Sequence, residues 1–290
     1  MLTAIRPSVR RQVTLGLSFT AVFTLLFWPT FVWMAQRFDA ADSFYSHGWL
    51  IPFASGWLVW QRRERLARCA VRPTSWGLAL LIPSLLVHTV ATWWQIGFAS
   101  GLAMVGAVYG LVWTVWGGSV LWALRFPLLF LLFMVPMPGV LLLSISFKMK
   151  LLAATLATHV LHLFGLPAVQ AGSTIHVPGI SVVVDDTCSG LRSLISLIAL
   201  STLWTSLMPP QTRPWHKLTL VAASVPIALV ANMLRILTLV LLSAIYGPKV
   251  ADSFIHYGSG LVVFGVAIAA LAWLSRRLVP STPAAGADRS

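Results

Sequence analysis

Apolar runs of the length that crosses a bilayer, about 20 residues, dominate this chain. They lie at 13–34, 76–93, 95–116, 119–137, 189–208, 218–246 and 257–275, with a shorter one at about 44–60. Only 9% of the 290 residues are charged and 58% are hydrophobic, against about 25% charged in a soluble domain. A surface so poor in charge is not stable in water, so the solvent must be lipid. The expected fold is all-α, a polytopic transmembrane helical bundle.

The net charge of +13 raises the question of nucleic acid, but the positive residues sit in short loops between apolar runs. That is an orientation signal for a membrane protein, not a phosphate footprint. Arg6, Arg10 and Arg11 place the N-terminus in the cytoplasm, and Arg276 and Arg277 place the C-terminus there too. The loop with Arg62, Arg63, Arg65, Arg68 and Arg72, and the loop with Arg213 and Lys217, are cytoplasmic by the same rule. All four basic loops agree if there are eight spans. The apolar run 139–164 then lies in the interface or re-enters, with Lys148 and Lys150 in water. Five of the seven acidic residues, Asp39, Asp42, Asp185, Asp186 and Asp252, then fall outside. The first run is too long for a signal-peptide core and has no small-residue cleavage site after it. Residues 1–279 are expected to form one membrane-embedded domain and 280–290 a disordered cytoplasmic tail.

Segment 165–187 is rich in β-branched residues and broken by Gly and Pro. It predicts one or two short strands, or an extended stretch, outside the membrane. It leads into Cys188 at the outer start of one span. His256 stands at the outer start of another, and Arg235 in the outer half of the long run 218–246. The basic loops alone therefore bring a thiol, an imidazole and a guanidinium to one membrane face. Each has a plain structural reading: a small buried thiol, a packed histidine, or a snorkelling arginine. Against this, Cys69 lies in a cytoplasmic loop and is excluded as a disulfide partner, leaving Cys188 unpaired in an oxidising compartment. Its place at a helix N-terminus favours the thiolate. An arginine inside a span marks function by default. Asn232 shares its helical face and can orient it; Arg192 shares the face of Cys188. His159 and His162 share a face as well, but two ligands without a third make a weak zinc signal, so no metal is expected.

These residue types suit acyl transfer. A thiolate attacks an amide carbonyl, an imidazole moves the proton to the leaving amine, and a guanidinium stabilises the oxyanion. The resulting thioester is resolved by water or another nucleophile. No cofactor is needed.

The run Thr187-Cys188-Ser189-Gly190-Leu191-Arg192-Ser193 resembles the Cys-Ser-Gly-x-Arg signature of the exosortase and archaeosortase family. Asn232-Met233-Leu234-Arg235 resembles its Asn-x-x-Arg box, and His256 with Gly258 and Gly260 its last motif. Ser46-His47-Gly48-Trp49-Leu50-Ile51-Pro52 resembles its Ser-His-Gly-x-x-x-Pro segment. The resemblance implies a membrane analogue of sortase with Cys188, Arg235 and His256 as catalytic set and Ser189, Gly190, Arg192, Asn232 and His47 around them. The site would face the periplasm from a bacterial inner membrane. The implied partners are exported proteins with a tripartite C-terminal signal: a motif such as Pro-Glu-Pro, an apolar helix and a basic end. A link to exopolysaccharide production is also implied. Thr187 departs from the small residue usual before the cysteine. The chain ends soon after its last span, so a domain that some relatives carry would come from a separate accessory protein. His47 either lines the site or shapes the helix entry, and Asp185 and Asp186 either orient His256 or are solvated loop residues. The rival reading is a transporter or non-catalytic component of polysaccharide export. It would place polar residues near the midplane and show repeated halves.

Overall fold

The computed structural model describes residues 18–40, 43–184, 189–247 and 254–278, the last of these with side chains from 258. Cys188, Asp185, Asp186 and Thr187 lie outside the described residues, as do the N-terminal basic cluster and the tail 280–290. The chain divides into two compact units, residues 1–40 with 46–136, and residues 41–45 with 137–290.

The first unit opens with two helices, α1 (Ser18–Leu26) and α2 (Trp28–Asp39), bent by 65° at Phe27. Pro29 stands in the first turn of α2 and removes one N–H from the ladder. The break is held by His88, buried in α5 (Leu78–Trp93). Its Nε2 lies 3.0 Å from the Leu26 carbonyl, its Nδ1 lies 2.8 Å from Ser100 Oγ, and that hydroxyl is 2.6 Å from Thr30 Oγ1. A carbonyl only accepts, so Nε2 carries a proton and donates. The ring of Phe27 packs on the imidazole at 4.2 Å between centroids.

Helices α5 and α6 (Gly97–Trp116) pack closely because small residues line their seam. A Cβ on Gly110 would stand 2.6 Å from the backbone N of Leu81, and one on Gly106 would stand 2.6 Å from Ser84 Oγ. The Thr74 and Arg72 amides bond the carbonyls of Thr114 and Trp116, closing the hairpin at its open end. Helices α3 (Leu50–Gln61), α4 (Arg63–Ala67) and α7 (Gly118–Phe130) complete the unit. Ser55 in α3 donates to the carbonyl of Pro127 in α7 at 2.7 Å.

The second unit begins with α8 (Gly139–Leu163), an unbroken 25-residue helix. Lys148 is exposed and Lys150 half-buried on it. Three strands follow, β1 (Val169–Ala171), β2 (Thr174–Val177) and β3 (Ile180–Val183), antiparallel and in that order. Gly172 (φ 63°) and Gly179 (φ 87°) make the two-residue turns. One sheet face carries Ile175, Val177, Val182 and Val184 into a core with Ala153, Ala154, Ala157 and Leu161 of α8. Ile236, Leu237, Leu239 and Val240 of the next long helix join the same core. Then come α9 (Leu191–Leu207), α10 (Pro214–Tyr246) and α11 (Phe254–Leu278). Pro209 and Pro210 stop α9, and Pro214 opens α10 at a position where its missing N–H costs nothing.

Among the described residues, five helices are long and apolar enough to cross a bilayer: Ser75–Trp93, Gly97–Trp116, Gly139–Leu163, Pro214–Tyr246 and Gly258–Leu278. The bent pair α1–α2 makes a sixth if counted as one span. This is a helical membrane protein. Three of the eight expected spans form helices that fall short of that length: α3 at 12 residues, Gly118–Met134 and Leu191–Leu207. Residues 139–163, expected to lie in the interface or to re-enter, form a helix that reaches it. The hairpin turns in 165–187 allow three strands where one or two were expected, so a small sheet is added to the helical architecture.

Candidate active site

Arg235 lies 11 residues before the end of the 33-residue α10, a helix of about 50 Å at 1.5 Å per residue. It is half-buried, and Asn232, one turn earlier, is buried. Two glycines from other helices close on this turn. Gly190 caps α9 in the left-handed conformation (φ 76°, ψ −1°). A Cβ there would stand 2.7 Å from Asn232 Cγ. Gly260 of α11 lies against the guanidinium, its notional Cβ 3.4 Å from Arg235 Cζ. Further along, Leu197 of α9, Leu220 and Ala228 of α10, and Ala267 and Leu271 of α11 share one core. Both α9 and α11 thus run antiparallel to α10, and their N-terminal portions meet it near Asn232 and Arg235 through Gly190 and Gly260.

The turn before α9 is built by its own polar groups. Ser189, 1% exposed, accepts the Leu191 amide through Oγ at 3.3 Å. The Gly190 carbonyl accepts both the Leu194 amide (2.9 Å) and the Ser193 hydroxyl (2.8 Å). The loop is therefore rigid from Ser189 onward, and its glycine has two independent reasons to be glycine: a positive φ and the approach of Asn232. A cavity of about 40 Å³ lies among the three helices, lined by Ser193, Ala231, Asn232, Arg235, Gly260 and Phe264 among others. It has room for water beside the guanidinium but not for a peptide.

Residues 33–273 match the family model for transmembrane exosortase. The chain belongs to the transmembrane exosortase family. No curated protein and no solved structure matches it. Exosortases are in general cysteine transpeptidase-like enzymes, and membership makes this chain a membrane protein of the class that processes sorting signals.

Of the residues singled out in the sequence, Ser189, Gly190, Asn232 and Arg235 come together in this exosortase. Arg192 is half-buried in the first turn of α9. His256 lies in the first turn of α11, one helical turn before Gly260. His47 belongs to the first unit, half-buried in a one-turn 3-10 helix, Ser46–Trp49. The glycine of that motif has a packing role: a Cβ on Gly48 would meet the ring of Phe38. Trp49 stacks edge-on against Phe38 and donates its indole N–H to Asp39 at 2.9 Å. His162 is engaged with the Ala168 carbonyl. The sequence reading missed His88 and gave Gly190 no structural reason. A polar ring in mid-span and a glycine at a helix start were the signals that could have found them.

Proposed function

We propose that this exosortase is a cysteine protease or transpeptidase that cuts the C-terminal sorting signal of exported proteins at the periplasmic face of the inner membrane. Cys188 is the nucleophile, His256 the proton carrier and Arg235 the oxyanion partner. The Cys188 thiolate attacks the scissile carbonyl carbon, and the guanidinium of Arg235 stabilises the charge that develops on oxygen. The C–N bond breaks, the leaving amine takes a proton from the His256 imidazolium, and an acyl thioester on Cys188 remains. Water or an acceptor amine then attacks the thioester and returns the thiolate. Asn232 orients the guanidinium, and Ser189 and Gly190 hold the loop that follows the nucleophile. Arg192 and His47 are assigned to the substrate-binding surround.

One observation carries the reading. Gly190, two positions after Cys188, and Gly260, one helical turn after His256, both close on the Asn232–Arg235 turn. Two extended residues span at most about 7 Å, and four helical residues rise about 6 Å, which supports grouping both motifs with Arg235. In this reading eight spans leave both termini in the cytoplasm, and residues 1–279 act as one membrane-embedded domain. The substrates carry the tripartite signal, with an accessory protein supplied separately.

The test is processing in cells. The chain is co-expressed with a secreted protein from the same genome bearing a Pro-Glu-Pro-type C-terminal signal, and the product mass is followed with native Cys188 and with Cys188→Ala. Removal of the tail only with Cys188 present is the expected result. Equal processing by both would end the nucleophile assignment.

A further inference from the structure

Among the described residues, the small sheet ends in an unpaired edge strand that packs on α10. The strand order β1-β2-β3 leaves β3 with one neighbour. The Val184 amide donates to the Ser173 carbonyl at 2.9 Å, and this bond sets the phase of the ladder. Ile180, Val182 and Val184 exchange backbone bonds with β2, and the N–H and C=O groups of Ser181 and Val183 point the other way. Among the described residues, no backbone group bonds that outer edge.

Natural edge strands are guarded by shortness, proline, charge, a bulge or a covering segment, and of these β3 has only its four-residue length among the described residues. The β3 residues Ile180-Ser181-Val182-Val183 carry no proline and no charge. The opposite edge differs: on β1, the Gln170 side chain is tied to Thr155 and Leu151 of α8 and to the Gly172 carbonyl. Strand β3 packs on α10, with Val182 and Val184 in the core that holds Ile236 and Leu237, and Met233 packed against it. It therefore rests on the turns that flank Arg235. Val183 turns its side chain outward, 63% exposed, and precedes Cys188 by five residues in sequence.

We infer that the outer edge of β3 is the docking strand for the substrate, receiving an extended peptide segment next to the scissile bond as a fourth strand. This rests on the proposed cysteine-enzyme reading and adds how that enzyme holds its substrate. Main-chain bonds from Ser181 and Val183 hold the segment in one register, which places a carbonyl repeatedly at the same depth relative to Arg235. Backbone pairing tolerates varied side chains. It also tolerates prolines at alternate positions, because their missing N–H groups then all face away from the edge.

Binding is measured by anisotropy on the full chain with Cys188→Ala in nanodiscs. The probe is a fluorescent synthetic peptide spanning the cleavage motif of the co-expressed substrate. Backbone N-methylation is moved one residue at a time through its non-proline positions. Edge pairing predicts period-two sensitivity: alternate methyl groups weaken binding about tenfold, as loss of one good hydrogen bond does, and those between leave it unchanged. Ser181→Pro removes the outward N–H together with the Oγ contact to His176 Nδ1 at 2.7 Å; it weakens the unmethylated peptide by a similar factor, while Ser181→Ala, which loses the hydroxyl contact alone, binds the peptide as the native edge does. A flat methylation scan, absence of binding, or photo-cross-linking from position 183 to a second copy of the chain instead of the peptide overturns the inference. Cleavage by the native chain is read separately. Edge binding without Cys188-dependent cleavage counts against the enzymatic reading alone, and cleavage with a flat scan counts against the docking edge alone.

Discussion

Gly190 and Asn232 are in such close contact that the smallest side chain on the first would overlap the second, with a Cβ 2.7 Å from Asn232 Cγ. The contact joins the start of α9 to the middle of α10, forty-two positions later in the chain. It lets the loop after Cys188 lie directly on the turn that carries Arg235.

Gly190→Ala therefore carries two costs. The left-handed backbone costs an L-residue about 1–2 kcal/mol, and the overlap with Asn232 adds more. A lowered melting temperature in detergent and loss of processing are expected. Adding Asn232→Ala removes Cγ and Nδ2 but leaves Asn232 Cβ 2.9 Å from the new methyl, and the φ strain stays, so the double variant should recover little of the thermal loss. Gly260→Ala, whose Cβ meets the guanidinium at ordinary contact distance, should melt close to the native chain.

Arg235→Met separates stability from chemistry. A cation within a span is expensive to hold, and replacing it with an apolar chain of similar length is neutral or stabilising in comparable cases. An unchanged or raised melting temperature is expected, with processing down by roughly a hundredfold or more, as for loss of an oxyanion partner. Arg235→Lys keeps the charge but not the planar fork and should restore little. Equal processing by the native chain and Arg235→Met would remove Arg235 from the mechanism.

His88→Leu should unfold the first unit more readily. It strips the Leu26 carbonyl of its partner at the helix break, at about 1–3 kcal/mol for a group left unsatisfied, while the Ser100 hydroxyl keeps Thr30. Ser100→Ala leaves the bond to Leu26 in place and should cost less. Thermal melts of the two variants check the order. The reverse order would mean that the bond to the carbonyl does not hold the break at Phe27.

Thiol labelling in intact cells reads the topology. Cys69 is half-buried and donates its thiol to the Arg65 carbonyl at 3.3 Å, in the loop that the proposed topology puts in the cytoplasm. A membrane-impermeant maleimide should label the chain through Cys188, and Cys188→Ala should abolish labelling. Labelling that survives in Cys188→Ala would place the Cys69 loop outside and invert the orientation.

Much of this molecule was legible from the chain alone. In lipid, apolar run length and helix length are tied together, because a spanning backbone must bond to itself. Residence in the membrane, the places of the helices and the extended segment before Cys188 followed from composition and run length. The ordered motifs pointed to the family. Single residues then shifted the details. Pro136, just beyond the helix Gly118–Met134, and the prolines after α9 stop two helices short of the length that crosses a bilayer. Gly172 and Gly179 turn one extended segment into three strands. The apolar length of α8 prevailed over Lys148 and Lys150 in setting a continuous helix.

Only the tertiary structure decided which residues meet. That Gly190 lies on Asn232, that Gly260 lies on Arg235, and that His88 holds the break at Phe27 are contacts between segments far apart in sequence. Periodicity reports which face of a helix is apolar, but a close approach depends on the neighbour's backbone and on the absence of a side chain there. A glycine looks the same in sequence whether it turns a loop, as Gly179 does, or admits a neighbouring helix, as Gly190 admits α10. Packing alone tells the two apart.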